Sequence, residues 1–309
     1  MTLLNVEDLK VTYSTEDGKV HAVNDVSFSI DEGVNYGLAG ESGSGKSTAA
    51  EALLGLLPSN GTVERGTIEF NGKDLTSLSQ AERRDVLWED IAYIPQSAMD
   101  SLDPVMSTGA QIVQAIQNHR NVSDTKARDR VRELFEIVGL DPDRIDDYPH
   151  EFSGGMRQRV TIAMALALEP DLIIADEPTT GLDVIVQDKI IDKILEIQER
   201  MDSSLLLITH EIGVIAETCD ELSILYGGKV MEQGSVDNVL VNPTNPYTMG
   251  LKNSFPEIDD GDEDPVAIPG SPPNLNAEPT ACVFKDRCPF ATEECSESHP
   301  DLVDLPNRN

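Results

Sequence analysis

Three features of the sequence predict an α/β fold. A glycine-rich loop lies between a short apolar strand and a helix. Two brief apolar runs suit the centre of a parallel sheet, and the first thirty-six residues alternate apolar and polar positions. Together they predict a core of parallel strands and helices joined to an antiparallel β subdomain, a helical subdomain and a small C-terminal extension.

The loop is Gly40-Glu41-Ser42-Gly43-Ser44-Gly45-Lys46-Ser47. It fits the phosphate-binding P-loop pattern, Gly, four free positions, Gly-Lys-Ser/Thr, with no mismatch. Val34-Asn35-Tyr36-Gly37-Leu38-Ala39 before it reads as a buried strand, and Ser47-Thr48-Ala49-Ala50-Glu51-Ala52-Leu53-Leu54 after it as a helix. The glycines let successive backbone N–H groups turn inward, and the helix N-terminus adds partial positive charge. Lys46 is expected to reach the β- and γ-phosphates and the Ser47 hydroxyl to ligate Mg²⁺, with residues 40–45 and Thr48 completing the nucleotide site. The bland alternative, a Gly/Ser-rich turn that matches by chance, lacks a reason for the strand before and the helix after.

Ahead of the loop, Leu4-Asn5-Val6, Leu9-Lys10-Val11-Thr12-Tyr13, Val20-His21-Ala22-Val23 and Val26-Ser27-Phe28-Ser29-Ile30 read as hairpin strands, with Asp17-Gly18 as a turn. Tyr13, at a strand end, is open to two readings: a face for an adenine ring, or an ordinary core or surface tyrosine. Residues 61–75 again read as strands, with a tight turn at Asn71-Gly72. Asp90-Ile91-Ala92-Tyr93-Ile94-Pro95-Gln96 is a short buried strand ending in a polar residue. From 108 to 140 the spacing is helical, with Ile112, Ala115 and Ile116, then Val131, Leu134, Phe135 and Val138, and Gly139 as a C-cap. Residues 160–168 form an apolar helix stopped by Pro170. Leu172-Ile173-Ile174-Ala175 and Leu205-Leu206-Leu207-Ile208 are the central parallel strands. Ser223-Ile224-Leu225-Tyr226 and Lys229-Val230-Met231-Glu232 flank Gly227-Gly228 as a hairpin. Past about residue 235 prolines and acids rise, and the acid run 259–264 reads as a solvated linker. The expected division is a nucleotide-binding domain over 1–235, its helical subdomain at about 97–160, and a C-terminal extension over 236–309.

The chain of 309 residues carries 56 acids against 23 bases, a net charge of −33. That balance leaves little to displace counterions from nucleic acid, so no nucleic-acid partner is expected. With only ten lysines, the acidic surface is suited to concentrated salt, where self-repulsion is screened within a few Å, and a halophilic archaeal cytosol is the expected setting. The N-terminus lacks the apolar core of a signal peptide, and no window approaches a membrane span. With no secretory signal, the four cysteines are not expected to form disulfides.

Asp176-Glu177 closes the strand 172–175, and two carboxylates there have the form of a Walker B site. Asp176 would hold Mg²⁺ through water, and Glu177 would polarise the attacking water. Phe152-Ser153-Gly154-Gly155-Met156-Arg157-Gln158-Arg159 is the most discriminating stretch. Ser153 can cap a helix, and Gly154-Gly155 leave N–H groups open to an anion, a second phosphate-reading helix start. One nucleotide needs only one such cradle per subunit, so two suggest a site shared between subunits; a plain helix cap is the other reading.

Taken together, these motifs resemble the ATP-binding subunit of an ABC transporter, over residues 1 to about 235. Ser153-Gly154-Gly155-Met156-Arg157-Gln158 resembles the family's signature motif, with Met156 where Gln is commoner. The resemblance implies that Gln96 is the Q-loop glutamine and an Mg²⁺ partner, Leu182-Asp183 the D-loop, His210 the switch histidine, and Tyr13 the aromatic that stacks on adenine. It further implies ATP hydrolysis with Mg²⁺ by Lys46, Gln96, Glu177 and His210. Two such domains would pair head to tail, so that Ser153, Gly154, Gly155 and Asp183 complete the opposite site.

Ser101-Leu102-Asp103-Pro104, Asn242-Pro243-Thr244-Asn245-Pro246-Tyr247-Thr248 and Ile268-Pro269-Gly270-Ser271-Pro272-Pro273-Asn274-Leu275 resemble the dipeptide/oligopeptide (and nickel) importer subfamily, which more often has His at Asn245. The implied partners are a second ABC ATPase subunit, a homologous chain or a copy of this one, two transmembrane permease subunits and an extracytoplasmic solute-binding protein. The implied location is peripheral, on the cytoplasmic face of the cell membrane. Nickel or glycosides are alternative solutes. A soluble ABC protein acting on ribosomes or DNA would need tandem ATPase domains or a long coiled coil, and an exporter ATPase should lack the Pro-rich tail elements. Cys282, Cys288 and Cys295 also match the subfamily's extension, whose members can carry a fourth cysteine. Either the three thiols, completed by His299 or an external ligand, bind an iron–sulfur cluster or zinc, or they are packed without metal.

Overall fold

The computed structural model describes residues 1–96, 101–180, 184–254 and 267–305, and the acid run at 259–264 lies outside them. The chain forms two compact units, Met1–Ser77 with Leu207–Asn309, and Leu78–Leu206.

In the first unit, β1 (Thr2–Thr15) and β2 (Gly18–Asp31) pair antiparallel through the Asp17-Gly18 turn. The sequence breaks these strands into four short runs, and the reason is now plain. Asp8 and Asp25 take positive φ, 49° and 58°, at register shifts where an extra residue breaks the alternation, so the buried positions change from Leu4 and Val6 to Leu9 and Val11. The Asp8 N–H bonds to Ser27 Oγ at 2.8 Å instead of to a ladder carbonyl. β4 (Gly61–Phe70) pairs with β1 and turns at Asn71-Gly72 into β5 (Lys73–Asp74), so the sheet order is β2-β1-β4-β5.

The same unit holds β3 (Asn35–Ala39), parallel to β9 (Glu221–Tyr226), and β10 (Lys229–Ser235), antiparallel to β9. After β3 the chain makes the glycine-rich loop and enters α1 (Lys46–Leu54). α7 (Ile212–Thr218) buries Ile212 and Ile215 in a core shared with Leu222, Ile224 and Tyr226. α8 (Pro246–Asn253) starts at Asn245, whose side chain accepts from the Tyr247 N–H at 2.9 Å. Tyr247 and Leu251 from α8, and Val283 and Phe284 from the tail, join that core. The tail also runs beside β2, where the His21 N–H donates to the Leu275 carbonyl at 2.8 Å.

In the second unit, β6 (Ile91–Ile94) and β7 (Leu172–Asp176) pair in parallel, every residue of β7 buried. The chain leaves this unit within β8 (Ser204–Thr209), a wholly buried strand. α2 (Gln80–Val86) opens with a capping box between Ser79 and Glu82. α3 (Thr108–His119) and α4 (Asp124–Ile137) bury the apolar positions that their spacing singles out, and Phe135 meets Phe152 edge to face at 6.5 Å. α4 closes in a Schellman motif, with Leu140 N–H to Phe135 O at 2.7 Å and Gly139 N–H to Glu136 O at 3.0 Å. α5 spans Gly154–Ala165, starting earlier and ending earlier than its apolar run, and α6 spans Val184–Met201. No helix among the described residues is long and apolar enough to cross a membrane.

Candidate nucleotide-binding and hydrolytic site

The loop at residues 40–47 lies where a parallel strand hands over to a helix N-terminus. Gly40 has φ +147°, and a Cβ there would stand 2.1 Å from the Leu225 carbonyl oxygen, so β9 runs directly against the loop. Ser44 donates its N–H to Glu41 O at 3.1 Å and accepts from the Gly228 N–H at 3.0 Å, which fastens the loop to the β9–β10 turn. Lys46 is 4 % exposed, and its Nζ donates to Gly40 O at 2.8 Å and Glu41 O at 3.0 Å. Its charge is thus held against the loop backbone. Helix α1 has Gly45 as N-cap with no side-chain cap, and the buried Ser44 hydroxyl has no hydrogen-bond partner among the described residues. A buried cation, an uncapped helix start and an orphaned buried hydroxyl in one loop fit a polyanion such as a triphosphate. The Ser47 hydroxyl, with carboxylate oxygens, is the hard oxygen donor type that Mg²⁺ prefers.

Tyr13 stands near the end of β1, its hydroxyl 3.2 Å from Thr48 Oγ1 and 3.4 Å from Glu51 Oε2, so the ring borders the first turns of α1. Burial raises its pKa above the usual phenol value. His210 follows β8 in the same unit and is exposed.

The second unit carries the acid pair. Asp176 ends β7 at 2 % exposure, and the Tyr93 hydroxyl donates to its Oδ2 at 3.2 Å. Glu177 follows with φ 45°, a left-handed conformation that turns the backbone sharply as the strand ends. Gln96 Nε2 donates to Glu177 Oε2 at 2.7 Å, and Thr180 Oγ1 donates to the same oxygen at 2.9 Å. Two donors on one oxygen fix the rotamer of the carboxylate. The pairing of Gln96 with Glu177 joins residues 81 apart in sequence.

Ser153 is the N-cap of α5, accepting weakly from the Met156 N–H at 3.4 Å; Ser153 is exposed, and Gly154 and Gly155 are partly buried. Gln158, one turn on, is 3 % exposed and donates to the Pro178 carbonyl at 2.5 Å. The helix that starts at Ser153 is thereby tied to the chain just past Glu177. Leu182 and Asp183 lie outside the described residues.

Two residues to which the sequence assigns no role at the loop, Tyr247 and Arg287, reach it. The Glu41 N–H donates to the Tyr247 hydroxyl at 3.0 Å, and Arg287 Nη1 donates to Glu41 Oε2 at 2.8 Å and to the Tyr226 hydroxyl at 2.9 Å. Burial, together with the Glu41 charge, raises the pKa of Tyr247, although the Glu41 N–H lowers it. For Arg287 the sequence offers only an arginine in an acidic tail, which periodicity cannot connect to a loop 246 residues away.

The cysteines do not make a metal centre as placed. The Cys282 N–H donates to the Cys295 carbonyl at 2.9 Å, which uses backbone groups of the two segments and not their sulfurs. Burial raises the Cys282 thiol, and hydrogen bonds from Thr292 lower that of Cys295. Burial pushes His299 down to about 4. Among the described residues no group of three or more His, Cys, Asp or Glu side chains is spaced to hold a metal ion. The cluster or zinc that the family resemblance suggests at Cys282, Cys288 and Cys295 is therefore unsupported, and no chemistry is assigned to it. Cys219 is pushed up to about 12, mainly by burial, and is a packed thiol.

Two family models match the chain: ABC transporter over residues 23–180, and the C-terminal region of the oligopeptide/dipeptide transporter over residues 231–295. The oligopeptide transport ATP-binding protein OppD of Escherichia coli (strain K12) is 45 % identical over 301 residues, covering 96 % of this chain and 89 % of that protein. The dipeptide transport ATP-binding protein DppD of Bacillus subtilis (strain 168) is 42 % identical over 301 residues, covering 96 % and 90 %. Among solved structures, the dimeric post-hydrolysis state of the ATP-binding cassette MJ0796 bound to ADP and Pi aligns with a TM-score of 0.68 at 26 % identity, over 75 % of this chain and 98 % of that one. The cassette cbiO1 from Clostridium perfringens, part of the transporter complex cbiONQ, aligns with a TM-score of 0.67 at 27 % identity, over 78 % and 91 %. A P-loop, a strand-end acid pair and a glycine-started helix, on a chain matched across nearly its whole length by transporter ATP-binding proteins, place it in the ABC transporter ATPase family.

Proposed function

We propose that this ATPase powers the import of dipeptides or oligopeptides across the cell membrane. The observation that carries the reading is one chain joining an ABC cassette to the oligopeptide/dipeptide C-terminal region, at 45 % identity to an oligopeptide transport ATP-binding protein. It works as a peripheral subunit on the cytoplasmic face, docked on two membrane-spanning permeases. A second ABC ATPase chain is its partner, and an extracytoplasmic binding protein delivers the solute. The −33 charge suits the concentrated salt of a halophilic cytosol.

Within the chain, residues 40–48 cradle the triphosphate, Lys46 pairs with its outer phosphates, and Tyr13 stacks on the adenine. Ser47, Gln96 and Asp176 would hold Mg²⁺, which would supply positive charge to offset that of the phosphates. Glu177, its carboxylate oriented by Gln96 and Thr180, takes the proton of the attacking water, and His210 contacts the γ-phosphate. Ser153, Gly154 and Gly155 of the partner subunit close the site from the other side, together with Asp183 of the partner subunit.

The test is Glu177→Gln in the purified chain and in the reconstituted transporter. The variant should bind ATP with near-normal affinity and hydrolyse it roughly 100-fold or more slowly. Turnover close to that of the parent chain would remove Glu177 from the base role. Peptide uptake into vesicles carrying the complex should stop with it.

A further inference from the structure

Glu41, the first free position of the loop, is held from three directions. Its N–H donates to Tyr247, its carbonyl accepts from Lys46 Nζ at 3.0 Å, and its carboxylate accepts from Arg287 at 2.8 Å. The arginine is itself locked. Nη1 also reaches the Tyr226 hydroxyl at 2.9 Å, Nε donates to Pro269 O at 2.9 Å, and Nη2 donates to Ile268 O at 3.1 Å. Its backbone N–H donates to Phe284 O at 3.0 Å. The guanidinium lies 5.4 Å from the centroid of the Tyr226 ring.

The Arg287 side chain is 6 % exposed and that of Glu41 24 %, so this is not a solvent-screened surface pair. Arg287 has its other side-chain bonds to a carbonyl of Ile268, a carbonyl of Pro269 and a ring hydroxyl, all neutral, so among the described residues Glu41 is its one charged hydrogen-bond partner. A carboxylate in a loop that must accept a polyanion is a liability unless a cation offsets it. The offsetting cation comes from the C-terminal extension.

We propose that Arg287 is a positioning residue for the nucleotide site, neutralising and anchoring Glu41 so that the C-terminal extension sets the affinity for ATP. The proposal rests on the reading of residues 40–47 as the phosphate-binding loop. The hydrogen bonds of Arg287 described above go to Glu41, Tyr226, Ile268, Pro269 and Phe284. Arg287 therefore acts on the bound ground state and the transition state alike, so its loss should raise KM and leave kcat.

The experiment uses the full chain, with a fluorescent ATP analogue and Mg²⁺ for affinity and steady-state hydrolysis for the KM and kcat split. Arg287→Met should bind about tenfold more weakly, with kcat within about twofold of the parent. In a Glu41→Gln background the same substitution should cost less than about twofold further, because the charge it offsets is gone. Arg287→Lys retains the charge and loses the fork, so it should bind about threefold more weakly. If Arg287→Met fails to fold, as judged by its melting, the lysine variant decides: parental affinity overturns the proposal. It is overturned equally by parental affinity in a folded Arg287→Met, by an undiminished loss in the Glu41→Gln background, or by a fall in kcat at constant KM. Lys46→Ala separates the two readings. If it abolishes binding while Arg287→Met does not weaken it, only the role of Arg287 fails; if it binds normally, the loop itself has been misread.

Discussion

Gly40 and Gly43 share one loop and a positive φ, +147° and +78°, yet their surroundings differ sharply. A Cβ on Gly40 would meet the Leu225 carbonyl at 2.1 Å and Ser44 Oγ at 2.9 Å, whereas one on Gly43 meets nothing within 4 Å. Gly43→Ala therefore carries only the strain of a left-handed residue, about 1 kcal/mol. Gly40→Ala adds a clash with backbone that cannot rotate away, and should cost about 3 kcal/mol or more, with loss of ATP binding. Denaturant unfolding of the two variants checks this, and equal midpoints would mean that β9 yields to the loop. At this scale the sequence was informative where chemistry is contiguous. Eight neighbouring residues spell the loop, two spell the acid pair, and each sits on the strand end or helix start that its pattern requires. It was silent about the contacts of Arg287 and Tyr247 with Glu41 and about the Gln158 link to Pro178, because each rests on a single polar side chain whose partner is chosen by the tertiary fold.

Elements were legible in proportion to their periodicity. α3 and α4 announced themselves through apolar residues three and four apart, and each tight turn through its glycine pair or Asx-Gly step. The long β1–β2 pair looked like four strands because its bulges interrupt the two-residue alternation. The tail was least readable, since its apolar residues are sparse and follow no period. In the fold, Phe284 (2 % exposed) completes an aromatic trio with Tyr226 of β9 and Tyr247 of α8, its ring centroid 5.4 and 5.3 Å from theirs. The two tyrosine rings are 4.4 Å apart. Both tyrosine hydroxyls also take part in the Glu41–Arg287 network, so the trio is the apolar footing of the loop's support. Phe284→Ala should therefore destabilise the first unit by about 3 kcal/mol or more, in line with other buried Phe truncations. Thermal melts should show this, with affinity for ATP falling in parallel as Tyr247 loses its packing. A loss under about 1 kcal/mol would make the extension an appendage instead of a part of the core.

Charge is a property of the whole molecule, and here no arrangement of ion pairs can cancel it. If every base found an acid, the net charge of −33 would still remain as unpaired carboxylates on one chain. The pairs that form sit mostly at the surface, such as Lys19–Glu64 and Arg128–Asp146, where each contributes little. What limits the repulsion is then the solvent. At 0.1 M salt the screening length is about 10 Å, long enough for neighbouring surface acids to act on one another, and at 1 M it is about 3 Å. The melting temperature should therefore rise by roughly 10 °C between 0.1 M and 2 M KCl, the equivalent of a few kcal/mol for a chain of this size. Chloride is the appropriate anion, because sulfate stabilises most folds by exclusion whatever their charge. Screening saturates once its length falls below the spacing between charges, so most of the gain should come in the first molar of salt. A steady rise to saturation would point to exclusion or specific ion binding instead, and a flat profile would mean that the acidic surface is already neutralised in dilute solution.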